Sequence, residues 1–376
     1  MKVAVIHEML IKLGGAENVV DDILSLYPEA DLFTLIYDED KVKKLFPASR
    51  IKKVPRLTQF IYNITKNQRF CLPFMARAIE SLDLSQYDLV ISSSSGFAHG
   101  AITKPETLHV VYYHSPARYL WDWTFEGRKD MNYSPFFKKI ILVFLGYIFH
   151  NLRIWDYMAS QRHDVAIAAS SQIKLRISKY YKRPSDVIYP SVYTDEFEIG
   201  EKLLKDRHYY VITSALTEFK RVDILVNAFN VLGYRLIIIG TGAQEAYLKS
   251  IAKENIEFVG YRHTFEINEY YKNARGFILP GREDFGIAPI EAMAAGIPVF
   301  GLAEGGLTET SIDGLSGEFF HDREGLDFIE KFEQFHSNIE SGKYDRIKIR
   351  NHALKFNKDR FLQEFQDLVN REMGRI

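Results

Sequence analysis

An α/β protein built from two Rossmann-like, doubly wound domains facing each other across a cleft is the fold the sequence predicts, and three observations carry the prediction. Short runs rich in β-branched residues alternate with longer helical patterns, which is the order of βαβ units. Those runs show little apolar–polar alternation, as strands of a parallel sheet covered by helices on both faces require. The same rhythm then restarts after a polar stretch, Thr194 to Arg207, and 376 residues at roughly 150 per domain accommodate two cores.

Taken in order, the strands expected first are Val3 to Ile6, Leu32 to Ile36, Leu89 to Ser92 and Val110 to Tyr113, with a helix from Ala16 to Ser25 between the first two. The second series is Tyr209 to Thr213, Arg235 to Ile239, Glu257 to Val259, Gly276 to Leu279 and Val299 to Gly301. The break falls near 193–207. It divides the chain into an N-terminal domain, 1–195, a C-terminal domain, 196–355, and a last helix, 356–376, with its helical pattern over Arg350 to Arg371. That helix either closes the second domain or crosses back to the first, and periodicity does not choose.

Composition narrows the function. Hydrophobic types make up 47% and charged types 26%, ordinary globular usage that excludes disorder and coiled coils. The formal net charge is −1, so nothing global recruits nucleic acid. A single cysteine, Cys71, excludes an internal disulfide and a cysteine-rich zinc site and fits a reducing compartment. No short apolar run with a cleavage site follows Met1, so no secretory leader is expected. The longest apolar run, Ile140 to Phe149, is half of the roughly 20 residues a spanning helix needs. A cytoplasmic protein is expected.

The most informative segment runs from Pro280 through Gly281, Arg282, Glu283, Asp284, Phe285, Gly286 and Ile287 to Pro298 and Val299. It reads strand, loop, helix, strand. Pro289 has no amide hydrogen and belongs in a first helical turn, so the helix starts near Gly286 and stops at Gly296. The backbone amides of Phe285, Gly286 and Ile287 would then point out of the helix N-terminus, where the dipole favours an anion such as a diphosphate. Glu283 in the loop and Glu291 within the helix flank these amides, and carboxylates suit the paired hydroxyls of a sugar or ribose.

In the first domain Gly14 and Gly15 follow the first strand and open the first helix, where they permit close approach of a phosphate or sugar, although an ordinary tight turn explains them as well. His114 ends a strand at its carboxyl end, the edge where ligands of such sheets bind; His7 and His99 occupy similar places and rank lower. Two other motifs carry less. Gly240-Thr241-Gly242 lacks the third glycine of a dinucleotide fingerprint, whose place is taken by Glu245. Asp38-Glu39-Asp40 matches a metal-binding Asp-x-Asp pattern formally, but a solvated turn is the better reading.

On these residues the chain resembles the retaining, nucleotide-sugar-dependent glycosyltransferases of family 4, whose two Rossmann-like domains form the GT-B arrangement. Glu283 and Glu291 reproduce that family's two glutamates with seven residues between them, inside the pattern Glu-Asp-Phe-Gly-Ile-x-Pro-x-Glu-Ala-Met-Ala-x-Gly-x-Pro-Val. The resemblance continues through Gly14-Gly15-Ala16-Glu17, Tyr113-His114-Ser115-Pro116, Val187-Ile188-Tyr189-Pro190 and Lys220-Arg221-Val222-Asp223. It is nearest to mannosyl-type transferases of surface polysaccharide assembly.

The resemblance implies that Glu291 binds the nucleotide ribose and that Glu283 and His114 act at the donor sugar. It also implies that Phe285, Gly286 and Ile287 meet the donor with their amides and that Lys220 holds the diphosphate. Where many relatives carry Ser-Arg-Leu after the strand, this chain has Ser214-Ala215-Leu216, which leaves Arg221 as the candidate for the missing phosphate contact. The donor expected is a nucleoside diphosphate hexose, GDP-mannose as first choice, and the acceptor a lipid-linked or oligosaccharide molecule. No cofactor and no metal are expected. The alternatives are a sugar-nucleotide 2-epimerase and a non-catalytic nucleotide-sugar-binding subunit.

One local feature departs from the neutral average. Nine basic residues and no acid lie between Lys41 and Arg69, so the remainder carries −10, and Phe46, Phe60, Tyr62 and Phe70 interleave with the charges or adjoin them. A second stretch, 136–155, places Phe137, Ile141, Phe144, Ile148, Leu152 and Trp155 at helical spacing. Together they suggest peripheral contact with an anionic membrane at its inner face, although for the second stretch taken alone a buried core helix is the better reading. No nucleic-acid motif accompanies the charge.

Overall fold

The computed structural model describes residues 1–122 and 135–375, and of 135–145 only the backbone. The chain divides into two compact units, Met1–Pro190 with Phe361–Ile376, and Ser191–Arg360.

The first unit holds a seven-stranded, fully parallel sheet: β1 (Val3–Leu10), β2 (Asp31–Tyr37), β3 (Ile51–Lys53), β4 (Leu89–Ser94), β5 (Leu108–Tyr113), β6 (Val165–Ala168) and β7 (Asp186–Val187). Its order is β3-β2-β1-β4-β5-β6-β7, so the winding reverses between β1 and β4. Successive side chains of a strand point to opposite faces, and each face has its own core. Val3 and Val5 of β1 and Leu89 and Ile91 of β4 join the core that includes Val19, Ile23, Ile173 and Ile177. Ala4, Ile6 and Val90 join the other, with Tyr62, Met75 and Ile79. Burial on both faces is why the strands read as unbroken apolar runs.

The second unit repeats the plan with six parallel strands: β8 (Tyr209–Thr213), β9 (Arg235–Ile239), β10 (Ile256–Gly260), β11 (Ala274–Leu279), β12 (Val299–Leu302) and β13 (Gly317–Phe320), in the order β10-β9-β8-β11-β12-β13. The reversal lies between β8 and β11. One face is packed by rings: Phe300 lies 5.2–5.6 Å, centroid to centroid, from Phe320, Phe328, Phe332 and Phe335. The polar stretch Thr194 to Arg207 is built into this unit. Arg207 is buried and donates hydrogen bonds to the carbonyl oxygens of Ala274, Lys202 and Gly200.

Every expected strand is present, and four short ones, β3, β6, β7 and β13, were not expected. The single terminal helix expected over Arg350 to Arg371 is two, Arg346–Ala353 and Lys358–Met373, separated by a 3₁₀ turn over Leu354–Phe356. Asn357 makes the restart by accepting the Arg360 amide on its side chain at 2.9 Å. Phe361, Phe365, Leu368 and Val369 of the last helix belong to the first unit's core.

Candidate active site

In the second unit the site grows from the two strands that flank the reversal of winding, where ligands of doubly wound sheets bind. After β8 the chain makes a 3₁₀ turn, Glu218–Lys220, and Arg221 adopts φ 52° to enter the helix Val222–Leu232. After β11 come Pro280 to Gly286, then the helix Ile287–Ala294, with Pro289 inside its first turn as its missing amide allows. Gly286 caps it at φ 90°, a conformation that favours glycine.

Three other glycines bring the loops together. A Cβ on Gly281 would lie 2.6 Å from the Lys220 carbonyl oxygen, so these two segments pack backbone against backbone. Lys220 Nζ is thereby placed on Glu283 Oε1, an ion pair with both side chains largely buried. On the other side a Cβ on Gly305 would meet the Glu283 carbonyl oxygen at 2.2 Å and one on Gly306 the Phe285 Cα at 2.3 Å, while the Gly306 amide donates to the Glu283 carbonyl at 2.8 Å. Sequence reading missed Gly281, Gly305 and Gly306. The signal was available: Gly305-Gly306 follows a strand and opens a short helix, Leu307–Thr310, just as Gly14-Gly15 does after β1.

The amides of Gly286 and Ile287 donate no hydrogen bond among the described residues, whereas Phe285 is otherwise engaged, its ring 6.0 Å from that of Phe356. Glu291 is half-buried, and its carboxylate forms no hydrogen bond or ion pair among the described residues. Burial pushes this carboxyl up to about 7, and the charge of Glu196 adds to the effect. A carboxylate without partners beside unpaired amides is an arrangement that a polyhydroxylated anion satisfies on both counts. Arg221 is already engaged: its guanidinium reaches Asp223 at 3.3 Å, Glu324 at 3.1 Å and the Arg323 carbonyl at 3.1 Å, so a phosphate would have to compete for it.

In the first unit the residues gather around β1, β4 and β5. Gly14 caps the helix Gly15–Leu26, and a Cβ there would lie 3.2 Å from Glu17 Oε2. His114 follows β5, its amide bonded to Ser94 O and its Nε2 2.8 Å from the buried Ser93 Oγ. Burial, with His7 nearby, pushes the His114 imidazole down to about 3, so it is neutral at physiological pH. His7, ranked below His114 from sequence, lies in the same cluster: its Nδ1 is 3.0 Å from Ser93 Oγ and its Nε2 3.6 Å from Glu17 Oε1.

His99, by contrast, is a core residue, fully buried and pushed down to about 4 by that burial. Glu8, next to His7, is a strut: its Oε1 accepts the amides of Ser95, Gly96, Phe97 and Ala98 and the Ser94 hydroxyl.

The lesser motifs have structural explanations. Cβ atoms on Gly240 and Gly242 would collide with the Ser214 and Leu216 carbonyl oxygens at 1.9 and 2.3 Å, so these glycines exist for close packing of two loops. Asp38 is occupied by Lys41 at 2.9 Å and the Tyr62 hydroxyl at 2.8 Å. Among the described residues no group of three or more His, Cys, Asp or Glu is placed to hold a metal ion.

The basic face needs redrawing. Phe46 and Tyr62 are buried, but Phe60 and Phe70 are 63% and 61% exposed, and Leu57 and Ile64 join Phe60 on one side of the helix Arg56–Thr65. In the second stretch the buried-core reading holds as far as the side chains are described: Ile148, Leu152 and Trp155 of the helix Pro135–Ala159 pack against the core around Phe97. Phe137, Ile141 and Phe144 lie outside the described side chains. No described helix is long and apolar enough to cross a membrane.

The family profile for glycosyl transferases group 1 matches residues 194–351. An uncharacterized glycosyltransferase of Methanocaldococcus jannaschii is 28% identical over 187 residues, which cover 48% of this chain and 52% of that protein. The chain thus spans about half the length of the curated relatives it matches first. Among solved structures, sucrose-phosphate synthase of Thermosynechococcus elongatus superposes with a TM-score of 0.76 at 14% identity over 100% of both chains. Anabaena HepE in complex with UDP superposes with 0.72 at 15%, over 99% of this chain and 100% of that one. At these identities the likeness is one of fold, the GT-B arrangement of two parallel-sheet units with flanking helices.

Proposed function

We propose that this chain is a retaining glycosyltransferase that moves a hexose from a nucleoside diphosphate sugar to a lipid-linked or oligosaccharide acceptor in surface polysaccharide synthesis. The single observation that carries the reading is the loop from Glu283 to Ile287, where two unpaired amides and the Lys220–Glu283 pair lie at the reversal point of the second sheet, with Glu291 one turn into the helix that follows. The family profile over 194–351 adds support from sequence.

In this reading the Gly286 and Ile287 amides and Lys220 bind the diphosphate, and Glu291 accepts the ribose hydroxyls. Glu283 leaves its pair with Lys220 to meet the sugar, as the cation turns to the phosphate. The bond from the anomeric carbon to the diphosphate oxygen breaks, and the acceptor oxygen bonds to that carbon on the same face. The departing diphosphate takes the acceptor's proton. Charge grows on the leaving oxygen, and donors already aimed at it stabilise the transition state, which is the task a metal performs elsewhere. His114, Gly14 and Gly15 of the first unit are the proposed contacts of the sugar. GDP-mannose is the donor the family resemblance suggests; UDP-glucose is the other to test, because HepE has been solved with it.

We place the protein at the inner face of a membrane, seated through Leu57, Phe60 and Ile64 with the flanking Lys52, Lys53, Arg56, Lys66 and Arg69 near anionic headgroups.

The test is a panel of nucleotide sugars scored first by thermal shift and then by transfer to a lipid-linked acceptor. The expected result is stabilisation by one nucleoside diphosphate hexose, product retaining the donor's anomeric configuration, and loss of transfer in Glu283→Ala. Isomerised donor without acceptor would instead identify an epimerase, and binding without product a binding subunit.

A further inference from the structure

The buried chain Glu17, His7, Ser93, His114 has a proton order that its surroundings dictate. Glu17 and His7 are each 4% exposed and Ser93 is fully buried, so the links between them are shielded from bulk solvent. Burial alone would raise the Glu17 carboxyl; the facing His7 and the charge of Lys12 outweigh it and hold the group below its usual range, ionised. A carboxylate 3.6 Å from His7 Nε2 repels a bare lone pair and attracts an N–H, so the geometry puts the His7 ring proton on Nε2. His7 Nδ1 is then an acceptor, and the Ser93 hydroxyl 3.0 Å away donates to it. A serine hydroxyl has one proton. Having spent it on His7, Ser93 Oγ can only accept from His114 Nε2, 2.8 Å away.

We infer that Glu17, His7 and Ser93 act as positioning residues that hold His114 in its Nε2–H tautomer and leave its Nδ1 as a bare acceptor for a ligand hydroxyl. His114 Nδ1 has no hydrogen-bond partner among the described residues, and the ring is only half-buried, with Tyr112 edge-on at 5.2 Å. Burial that keeps the ring neutral is what gives the tautomer meaning, since an imidazolium would donate from both nitrogens. The consequence is selectivity: a sugar hydroxyl brings the proton Nδ1 needs, whereas a phosphate or carbonyl oxygen brings none and faces a lone pair. The statement about the tautomer is structural; its use in sugar recognition rests on the proposed function.

The test is a two-bond ¹H–¹⁵N correlation spectrum of histidine-labelled full-length protein near pH 7.5, with the His114 signals identified by their loss in His114→Gln. The expected pattern is a protonated Nε2 and an unprotonated Nδ1 for His114. Ser93→Ala and Glu17→Gln should each shift it toward a mixture of tautomers, because the first removes the acceptor and the second lets the amide present either a donor or an acceptor to His7. Ser93→Thr, which keeps the hydroxyl, should retain the wild-type pattern. A wild-type His114 protonated at Nδ1 or at both nitrogens overturns the inference, as does a pattern unchanged in both Ser93→Ala and Glu17→Gln. None of these readouts uses transfer activity, so failure to find a donor would sink the functional reading and leave the tautomer standing.

Discussion

Glu291 and Glu283 have the same side chain and opposite surroundings. Glu283 is paired with Lys220, whereas Glu291 is desolvated without a hydrogen-bond partner among the described residues and is raised to about 7. A carboxyl whose folded pKa lies above its unfolded value of 4.5 binds its proton more tightly when folded, so stability is highest below about 4.5 and declines as pH rises through about 7. Glu291→Gln removes that decline. We expect the variant to melt above wild type at pH 8, by about 2–4 °C for each ~1 kcal/mol relieved, and to lose the advantage at pH 5, as differential scanning calorimetry at both pH values would report. Its affinity for the nucleotide should fall at the same time. Glu283→Gln should leave nucleotide affinity within a few fold of wild type and lower kcat about 100-fold or more, measured in the transfer assay. The glutamates were legible because their residue types and spacing are local. Their different electrostatic states were not, since Glu196 and Lys220 reach them only through the fold.

The helix Ile287–Ala294 presents its amides because the loop before it is clamped between Gly281 and the pair Gly305-Gly306. A methyl group on Gly306 would sit 2.3 Å from the Phe285 backbone and force the loop to move. Gly306→Ala should therefore weaken nucleoside diphosphate binding at least tenfold by calorimetric titration, an effect a surface substitution would not produce. The helix Arg56–Thr65 shows the limit of pattern reading in the other direction. Its basic flanks were evident, yet of the four rings that mark the stretch two are buried and two exposed, because side-chain direction depends on what the helix packs against. Replacing Phe60 and Ile64 with serine should reduce co-sedimentation with vesicles containing anionic lipid and leave the melting temperature nearly unchanged, both side chains being more than 60% exposed.

Across the whole molecule the last helix is the part that chain order misrepresents. Its residues follow the second unit in sequence but fill the first unit's core through Phe361, Phe365, Leu368 and Val369. Trp121 and Trp155 lie in that first unit, so their fluorescence reports its unfolding. Phe365→Ala should cost it about 3–5 kcal/mol, seen as an earlier denaturant midpoint by tryptophan emission. What the sequence determined by itself is whatever is written in short spans: parallel strands as apolar runs, the helix start at Gly286 and Pro289, and the spacing of Glu283 and Glu291. What only tertiary structure decided is whatever depends on distant segments meeting: the chain from Glu17 through His7 and Ser93 to His114, the glycine clamp, and the helix break at 354–357 with its core placement. The reason is range. Backbone propensity and periodicity act over a few residues, whereas desolvation, tautomer choice and close backbone packing are set by neighbours that lie tens of residues away in sequence and a few ångströms away in space.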